Sequence, residues 1–290
     1  MRRFVYSPRY DVDIGDHVFP TVKFRLTAEL LARGGELVEP PEPSREDLLL
    51  AHDAAWVDKV LSGRMTLEDE ARMELPFSSA VALAHRLQVG GTALACLWAL
   101  RGGVGLHVGG GSHHAFRGHG EGFCVLNDLA VAVLKMRREG RIRRAAVVDL
   151  DVHQGNGTAA ILAGEGDFFT FSMHQQDLYP EVKQRSSLDI GLPKGTSDAE
   201  YLVRLAGALP RVFAHRPDLV IYQAGVDGWE RDVLGGLKLT ERGLLARDAL
   251  IYAECRRRGV PVAVTLGGGY GQDVRDTARL HARTLLAFTS

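Results

Sequence analysis

Short apolar runs alternate with longer amphipathic segments along this sequence. The runs are rich in β-branched residues and predict strands at residues 4–6, 105–108, 145–151, 168–173, 218–224 and 261–266. Run 145–151 is apolar at most positions, as a strand covered on both faces requires. Helical periodicity predicts helices at residues 22–33, 81–101, 198–215 and 239–258. This order predicts an α/β fold with a mostly parallel sheet flanked by helices on both faces.

The sequence shows no composition break that would divide it into two domains. Its densest proline cluster, at residues 40–43, is too short and too early in the chain to act as a linker. We therefore expect residues 1–290 to form a single domain. Segments without periodicity lie near residues 10–20, 62–79, 115–122 and 175–197, and several follow a predicted strand. In an open α/β sheet, loops at the carboxyl ends of strands build the binding crevice, so functional residues are expected there.

The charged residues nearly cancel, with 35 lysine and arginine residues against 36 aspartate and glutamate residues. No overall field attracts nucleic acid, so direct nucleic-acid binding is not expected. Cys96, Cys124 and Cys255 form no CxxC pair, which argues against disulfides and a thiolate zinc site. The N-terminus lacks the apolar region of a signal peptide, and no apolar run approaches the length of a membrane span. We predict a cytoplasmic protein without a membrane span, and the sequence leaves its oligomeric state open.

The predicted strand 145–151 ends in acidic residues and is followed by a histidine. Asp149, Asp151 and His153 alternate with other residues, so in an extended segment they project to the same side. A carboxylate and an imidazole two residues apart can share one cation, although loop hydrogen bonds explain the same pattern. Another predicted strand is followed by Asp227, which offers a third ligand.

Two further predicted strands end in glycine-rich segments that carry titratable residues. His113 and His114 come shortly after strand 105–108, and Tyr270 comes shortly after strand 261–266. Each of these residues alone has an ordinary explanation in loop structure, and glycines often serve only tight turns. Their common position at strand ends favours a backbone that passes close to a ligand, and therefore a binding or catalytic site.

These residue types suit metal-assisted hydrolysis. Three protein ligands leave a position open for water and a substrate oxygen, and the cation lowers the pKa of that water and polarises an acyl carbonyl. A neutral imidazole of His113 or His114 can accept the proton of the water, and an imidazolium can donate one to a leaving amine. The phenol of Tyr270 is suited to hydrogen-bond the developing oxyanion.

At these residues the chain resembles the histone deacetylase superfamily, which has the arginase-like α/β fold. The resemblance extends over nearly the whole chain and rests on blocks in family order: VYSPRY from Val5, GGGSHH from Gly109, GFC from Gly122, DLDVHQGNG from Asp149, AGVDGWERDVLGGLKLT from Ala224 and GGGY from Gly267. The resemblance implies metal ligands at Asp151, His153 and Asp227, catalytic residues at His113, His114, Tyr270, Asp149 and Asn156, and substrate-channel residues at Gly122, Phe123 and Tyr179.

Within the superfamily, the sequence HQGNG at residues 153–157 resembles the class IV subfamily. Class I members carry a second histidine and an aspartate where Gln154 and Asn156 stand. Asn156 would face His114, and an amide cannot raise the basicity of an imidazole as a carboxylate does. We therefore predict that His114 is less basic than His113.

The resemblance implies a zinc-dependent deacylase that hydrolyses acyl-lysine in a peptide or protein, with an acetyl or a longer fatty acyl group. Iron(II) and cobalt(II) also suit two carboxylates and one imidazole, and some family members bind structural potassium. A deacetylase of acetylpolyamines or small metabolites is the alternative. The two-manganese site of ureohydrolases is disfavoured, because Gly228 and Trp229 follow Asp227 where a second acidic ligand is needed. A non-catalytic acyl-lysine binding module is disfavoured because Tyr270 is present.

An acidic stretch lies in the aperiodic segment 62–79, where family members have rim loops. It contains Glu68, Asp69, Glu70 and Glu74. These carboxylates are suited to a cationic peptide or polyamine, but an ordinary solvated loop explains them as well.

Overall fold

The computed structural model describes residues 2–289, so Met1 and Ser290, the ends of the predicted domain, lie outside the described part. The centre of the protein is a six-stranded sheet in which every neighbouring pair of strands is parallel. In spatial order its strands are β3 (Val104–Leu106), β8 (Val262–Thr265), β7 (Leu219–Gln223), β4 (Ala145–Asp149), β5 (Phe168–Gln175) and β6 (Leu188–Leu192). Strands β1 (Arg2–Val5) and β2 (Gly35–Val38) form a separate parallel pair.

Helices cover both faces of this sheet. Their bounds are α1 (Val22–Ala32), α2 (Arg45–Leu48), α3 (Ala54–Ser62), α4 (Leu67–Met73), α5 (Ser79–Gly102), α6 (Asp128–Arg138), α7 (Asn156–Ile161), α8 (Asp198–Ala214), α9 (Glu241–Arg258) and α10 (Val274–Ala287). Side chains from α1, α8, α9 and α10 contribute to one apolar cluster, and side chains from α3, α5 and α6 contribute to the other.

The central strands supply both clusters with alternate side chains. In β4, Ala146 and Val148 belong to the first cluster, whereas Ala145 and Val147 belong to the second. Every residue of β4, β7 and β8 is buried, which explains why their sequences lack a polar face. The predicted fold class, a mostly parallel sheet with helices on both faces, is confirmed.

Several elements differ from the sequence predictions. Strand β4 ends at Asp149, so Asp151 and His153 lie in the loop that follows it. Strand β1 pairs with β2 rather than within the main sheet. Helix α4 and strand β6 lie in segments 62–79 and 175–197, which were expected to be aperiodic. Helix α4 begins with a capping box between Thr66 and Asp69, a local signal that the periodicity of so short a segment does not reveal.

Helix α6 escaped prediction for a different reason. Its residues from Asp128 to Leu134 are all buried, as is Met136. Its first seven residues therefore present no exposed side, and the basic residues of the helix lie only in its last turn.

Helix α5 corrects the expectation that no apolar run approaches the length of a membrane span. With 24 residues, the helix is long and apolar enough to cross a membrane. The fold accounts for this composition, because 72% of its apolar stretch is buried inside the protein. The helix packs against α6, β3 and β8.

Candidate metal centre

Two neighbouring strands of the sheet deliver the three predicted metal ligands to one place. Asp151 and His153 follow β4, Asp227 follows β7, and these strands pair along their whole length. The carboxyl ends of parallel strands meet at one edge of a sheet, so the loops after them converge. One ligand atom from each residue lies within 4.8 Å of the other two, and all three side chains are buried.

Hydrogen bonds orient both carboxylates. Asp151 Oδ2 accepts from Gln223 Nε2 at 2.9 Å and from the backbone N–H of Gly268 at 2.8 Å. Asp227 Oδ1 accepts from the backbone N–H of Val152 at 2.8 Å. Asp151 Oδ1 also accepts from the backbone N–H of His153 at 3.1 Å, and this oxygen and Asp227 Oδ2 both face the imidazole of His153. Such outer contacts fix metal ligands in place.

The imidazole of His153 lies between the two remaining oxygens. Its Nδ1 is 3.1 Å from Asp151 Oδ1 and 3.1 Å from Asp227 Oδ2. Burial lowers the pKa of His153, but the hydrogen bonds to Asp151 and Asp227 outweigh it and raise this pKa to about 10. Burial, followed by the Asp151 carboxylate, raises the pKa of Asp227 to about 7. The cluster therefore attracts positive charge, and two oxygens with one nitrogen fit a divalent cation such as zinc, iron(II) or cobalt(II).

The two adjacent histidines have different partners. His113 Nδ1 lies 2.7 Å from Asp149 Oδ2, and His114 Nδ1 lies 2.6 Å from Asn156 Oδ1. Burial opposes charge on His113, but Asp149 and Asp151 outweigh it and raise the pKa of His113 to about 9. Burial, followed by the neighbouring rings of His113 and His153, lowers the pKa of His114 well below its usual value. These directions agree with the predicted order of basicity.

A cavity of about 240 Å³ reaches His114 and His153. Its walls include His114, His153, Gly122, Phe123, Tyr179 and Tyr270, together with Val18, Glu74, Leu178 and Leu234. Gly122 has a φ of 51°, and a Cβ there would lie 2.9 Å from the rings of both His114 and Tyr179. Glycine is therefore required where the two rings approach the backbone.

The aromatic walls of the cavity are fixed by backbone contacts. The N–H of Phe123, which has a φ of 66°, donates to Met73 O at 2.7 Å. The N–H of Tyr270 donates to Asp232 Oδ2 at 2.7 Å. Burial raises the pKa of the Tyr270 phenol well above its usual value, so the hydroxyl keeps its proton. The structure thus brings every predicted channel residue together with the ligands and the histidine pair.

The acidic stretch near the cavity is mostly not a loop. Glu68, Asp69 and Glu70 belong to α4, where Asp69 caps the helix and binds Lys59 Nζ at 2.6 Å. The interpretation of these residues as an aperiodic rim is therefore wrong. Glu74 differs from them, because it lies beyond the end of α4 and lines the cavity.

Sequence reasoning missed several residues that hold the site. Asp128, at the start of α6, accepts hydrogen bonds from the N–H groups of Gly111 and Ser112, and so holds the loop that carries the histidine pair. Lys23 is fully buried, and its Nζ donates to Gly267 O at 3.0 Å. For Gln223 the sequence did offer a signal, because this polar residue lies in an otherwise apolar strand.

Comparisons with known proteins show the family of this chain. Residues 17–285 match the histone deacetylase domain family. The chain is 42% identical over 285 residues to an uncharacterised protein of Picosynechococcus sp., covering 96% of this chain and 95% of that one. It is 30% identical over 300 residues to histone deacetylase 2 of Arabidopsis thaliana, covering 97% and 77% of the two chains. A probable deacetylase of Methanothermobacter thermautotrophicus is 31% identical over 288 residues, covering 92% and 85%.

A solved structure shows the same fold. The crystal structure of the HDA15 HD domain superposes with a TM-score of 0.81 at 24% identity, and the alignment covers 99% of this chain and 88% of that one.

We predict that cation binding to the metal-stripped protein becomes tighter as the pH rises. A His153 pKa of about 10 means that the imidazole carries a proton between pH 6 and 8, and a cation must displace it. Loss of this proton gives about a tenfold gain in affinity per pH unit, and below about pH 7, where Asp227 also carries a proton, the gain is steeper. Titration calorimetry with zinc in buffers of different ionisation enthalpy measures the released protons. His215→Gln, remote from the ligands, should keep the same slope, and a pH-independent affinity would contradict the assignment of His153.

We predict that the two histidines of the pair titrate far apart. In ¹⁵N NMR of the metal-stripped protein, His113 should titrate near pH 9, while His114 stays neutral from pH 6 to 8. Asp149→Asn should lower the pKa of His113, because it removes the strongest attractive charge, while Asp167→Asn at the surface should not. Equal pKa values for the two rings would refute the asymmetry.

Proposed function

We propose that this chain, which belongs to the histone deacetylase family, is a zinc-dependent deacylase that removes the acyl group of N-acyl-lysine in a peptide or protein. The family makes the chain a hydrolase that acts on amide bonds. One observation carries the finer proposal: His153, the histidine pair and the buried phenol of Tyr270 line two cavities that share walls, and the carboxylates of Asp151 and Asp227 contact His153. A linear side chain with an amide near its end fits that arrangement.

The ligand set supports a single cation held by Asp151, His153 and Asp227. When bound, a divalent cation supplies Lewis acidity towards an acyl carbonyl and lowers the pKa of a water molecule. Zinc is proposed because the family resemblance favours it, and two carboxylates with one imidazole also accept iron(II) or cobalt(II).

The protein's own groups divide the proton transfers. His114 is kept neutral by burial and its neighbouring rings, so it is suited to accept a proton from the attacking water. His113 is held in its charged form by Asp149, so it is suited to stabilise negative charge and to donate to the departing amine. The protonated phenol of Tyr270 is suited to donate a hydrogen bond to the carbonyl oxygen as its charge develops.

The dimensions of the site favour a short acyl group. A smaller cavity of about 30 Å³ shares the walls of His114, Phe123 and Tyr270 with the channel and extends towards His113 and Cys124. This inner space is much smaller than the outer cavity of about 240 Å³, so it suits the methyl group of an acetyl better than a fatty acyl chain.

An acetylated polyamine is the second candidate substrate. Glu74 is an exposed residue that lines the outer part of the cavity, so its carboxylate is suited to attract the additional cationic amines of a polyamine. An acetyl-lysine peptide and an acetylpolyamine share the amide and the aliphatic stem, and differ in the charge that reaches Glu74.

We predict that the zinc-loaded protein hydrolyses acetyl-lysine peptides with a higher kcat/KM than octanoyl or myristoyl peptides. Asp227→Ala should lower kcat/KM by more than about a hundredfold, because it removes a metal ligand. Even the loss of a residue that only orients a metal ligand costs about 10–100-fold. Asp58→Asn on the exposed face of α3 is the matched control and should leave turnover unchanged. Acetylpolyamines measured in parallel decide between the two substrate classes.

Three outcomes would count against the proposal. Activity that survives Asp227→Ala would remove the metal mechanism. Tight binding of acyl-lysine without turnover would favour a binding module. Faster turnover of the myristoyl peptide would contradict the short-acyl preference.

A further inference from the structure

The side-chain amide of Asn156 contacts His114 and is also hydrogen-bonded to a carboxylate, that of Glu121. Asn156 Oδ1 lies 2.6 Å from His114 Nδ1, and Asn156 Nδ2 donates to Glu121 Oε1 at 2.7 Å. Asn156 is fully buried at the start of α7, and Glu121 directly precedes Gly122 in the channel wall. The three side chains form a continuous hydrogen-bonded row that ends at the smaller cavity, which His113 and His114 line.

The chemistry of the carboxylate decides the direction of every hydrogen bond in this row. An ionised carboxylate only accepts, so the amide of Asn156 must turn its NH₂ group towards Glu121 and its oxygen towards His114. An amide oxygen also only accepts, so His114 must carry its proton on Nδ1. In the neutral ring, Nε2 is then the nitrogen with a free electron pair. An asparagine without such a partner can present either its oxygen or its NH₂ group to the imidazole.

Other contacts keep Glu121 ionised and in place. Burial opposes its charge, but hydrogen bonds from His119, Asn156 and Tyr179 outweigh burial and lower the pKa of Glu121. His119 Nε2 lies 3.5 Å from Glu121 Oε2. The backbone of Glu121 exchanges hydrogen bonds with that of Cys124, at 3.0 and 2.9 Å.

We propose that Glu121 is a positioning residue that fixes the tautomer of His114 through Asn156. The inference rests on the proposed function, because only an enzyme that uses His114 Nε2 as a proton acceptor needs that tautomer. It also explains how an amide can stand beside the catalytic histidine, since the charge that orients the amide lies one residue further out. The bond between Glu121 and Tyr179 ties the same carboxylate to the facing wall of the channel.

The first test is Glu121→Gln, which keeps the size of the side chain and removes its charge. The introduced amide can offer an NH₂ group to Asn156, whose own amide then turns over and leaves both tautomers of His114 populated. We expect kcat to fall by about 10–100-fold, which is usual for the loss of a residue that orients the groups of a metal site. KM should change by less than about twofold, because the channel walls remain. Glu68→Gln on α4, where the side chain is exposed and paired with Arg72, is the control and should leave both constants unchanged.

Adding Asn156→Asp to Glu121→Gln gives the second test. The amide is then at position 121 and the carboxylate at position 156. The amide donates to the carboxylate, and the carboxylate accepts from His114 Nδ1. We expect kcat at its pH optimum to return to within about threefold of the wild-type value, and that optimum to move to higher pH because the carboxylate beside His114 raises the pKa of the ring. A purely structural role of Glu121 predicts no such rescue.

¹⁵N NMR of the metal-stripped proteins reads the tautomer independently of turnover. We expect His114 to carry its proton on Nδ1 in the wild type and in the double variant, and to show both tautomers in Glu121→Gln. An unchanged kcat and an unchanged tautomer in Glu121→Gln, or failure of the double variant to recover, would overturn the inference. If the wild type hydrolyses no acyl substrate but its tautomer responds as expected, the proposed function fails and the positioning role stands.

Discussion

Two buried carboxylates that face one imidazole nitrogen are the constraint on which this structure depends. Negative charge inside a protein is costly unless donors and cations surround it. Hydrogen bonds hold both Asp151 and Asp227, and each carboxylate directs one oxygen at His153 Nδ1. Behind them, the fully buried guanidinium of Arg247 donates to the carbonyl oxygen of Gly225 at 2.6 Å and to that of Leu150 at 3.4 Å. The loops after β4 and β7 are therefore held from both sides around a place for a cation.

The two histidines differ in basicity because each ring contacts a different side chain. His113 is backed directly by a carboxylate, Asp149, and so becomes the more basic ring. His114 is backed by an amide and stays neutral. The charge of Glu121 lies one side chain further out, where it can orient the amide without contacting the imidazole. One pair of adjacent residues thus provides both a charged and a neutral imidazole, as acid and base roles require.

The sequence predicts the parts of this site that depend on local pattern. Asp151, His153 and Asp227 were predictable because they follow strongly apolar strands whose carboxyl ends share one edge of a parallel sheet. Asp128 and Lys23 were not, because charged residues are ordinarily assigned to the surface and both are fully buried here.

The role of Glu121 depends on how separate loops meet. Its contact with Asn156 joins residues 35 positions apart, and neither local periodicity nor the family motif specifies that contact. The family resemblance supplied Tyr179 and Phe123, whose segments carry no period of their own. Sequence patterns therefore mainly fail to predict the polar contacts that orient the catalytic side chains, because tertiary packing creates those contacts.

The central claim is that one cation, held by Asp151, His153 and Asp227, makes this chain a deacylase. Stepwise addition of zinc to the metal-stripped protein, with turnover of an acetyl-lysine peptide measured at each step, tests it most directly. Turnover should be absent at the start, rise linearly to one equivalent of zinc per chain and then stay constant. Turnover in the metal-stripped protein, or a rise that continues to two equivalents, would contradict the claim.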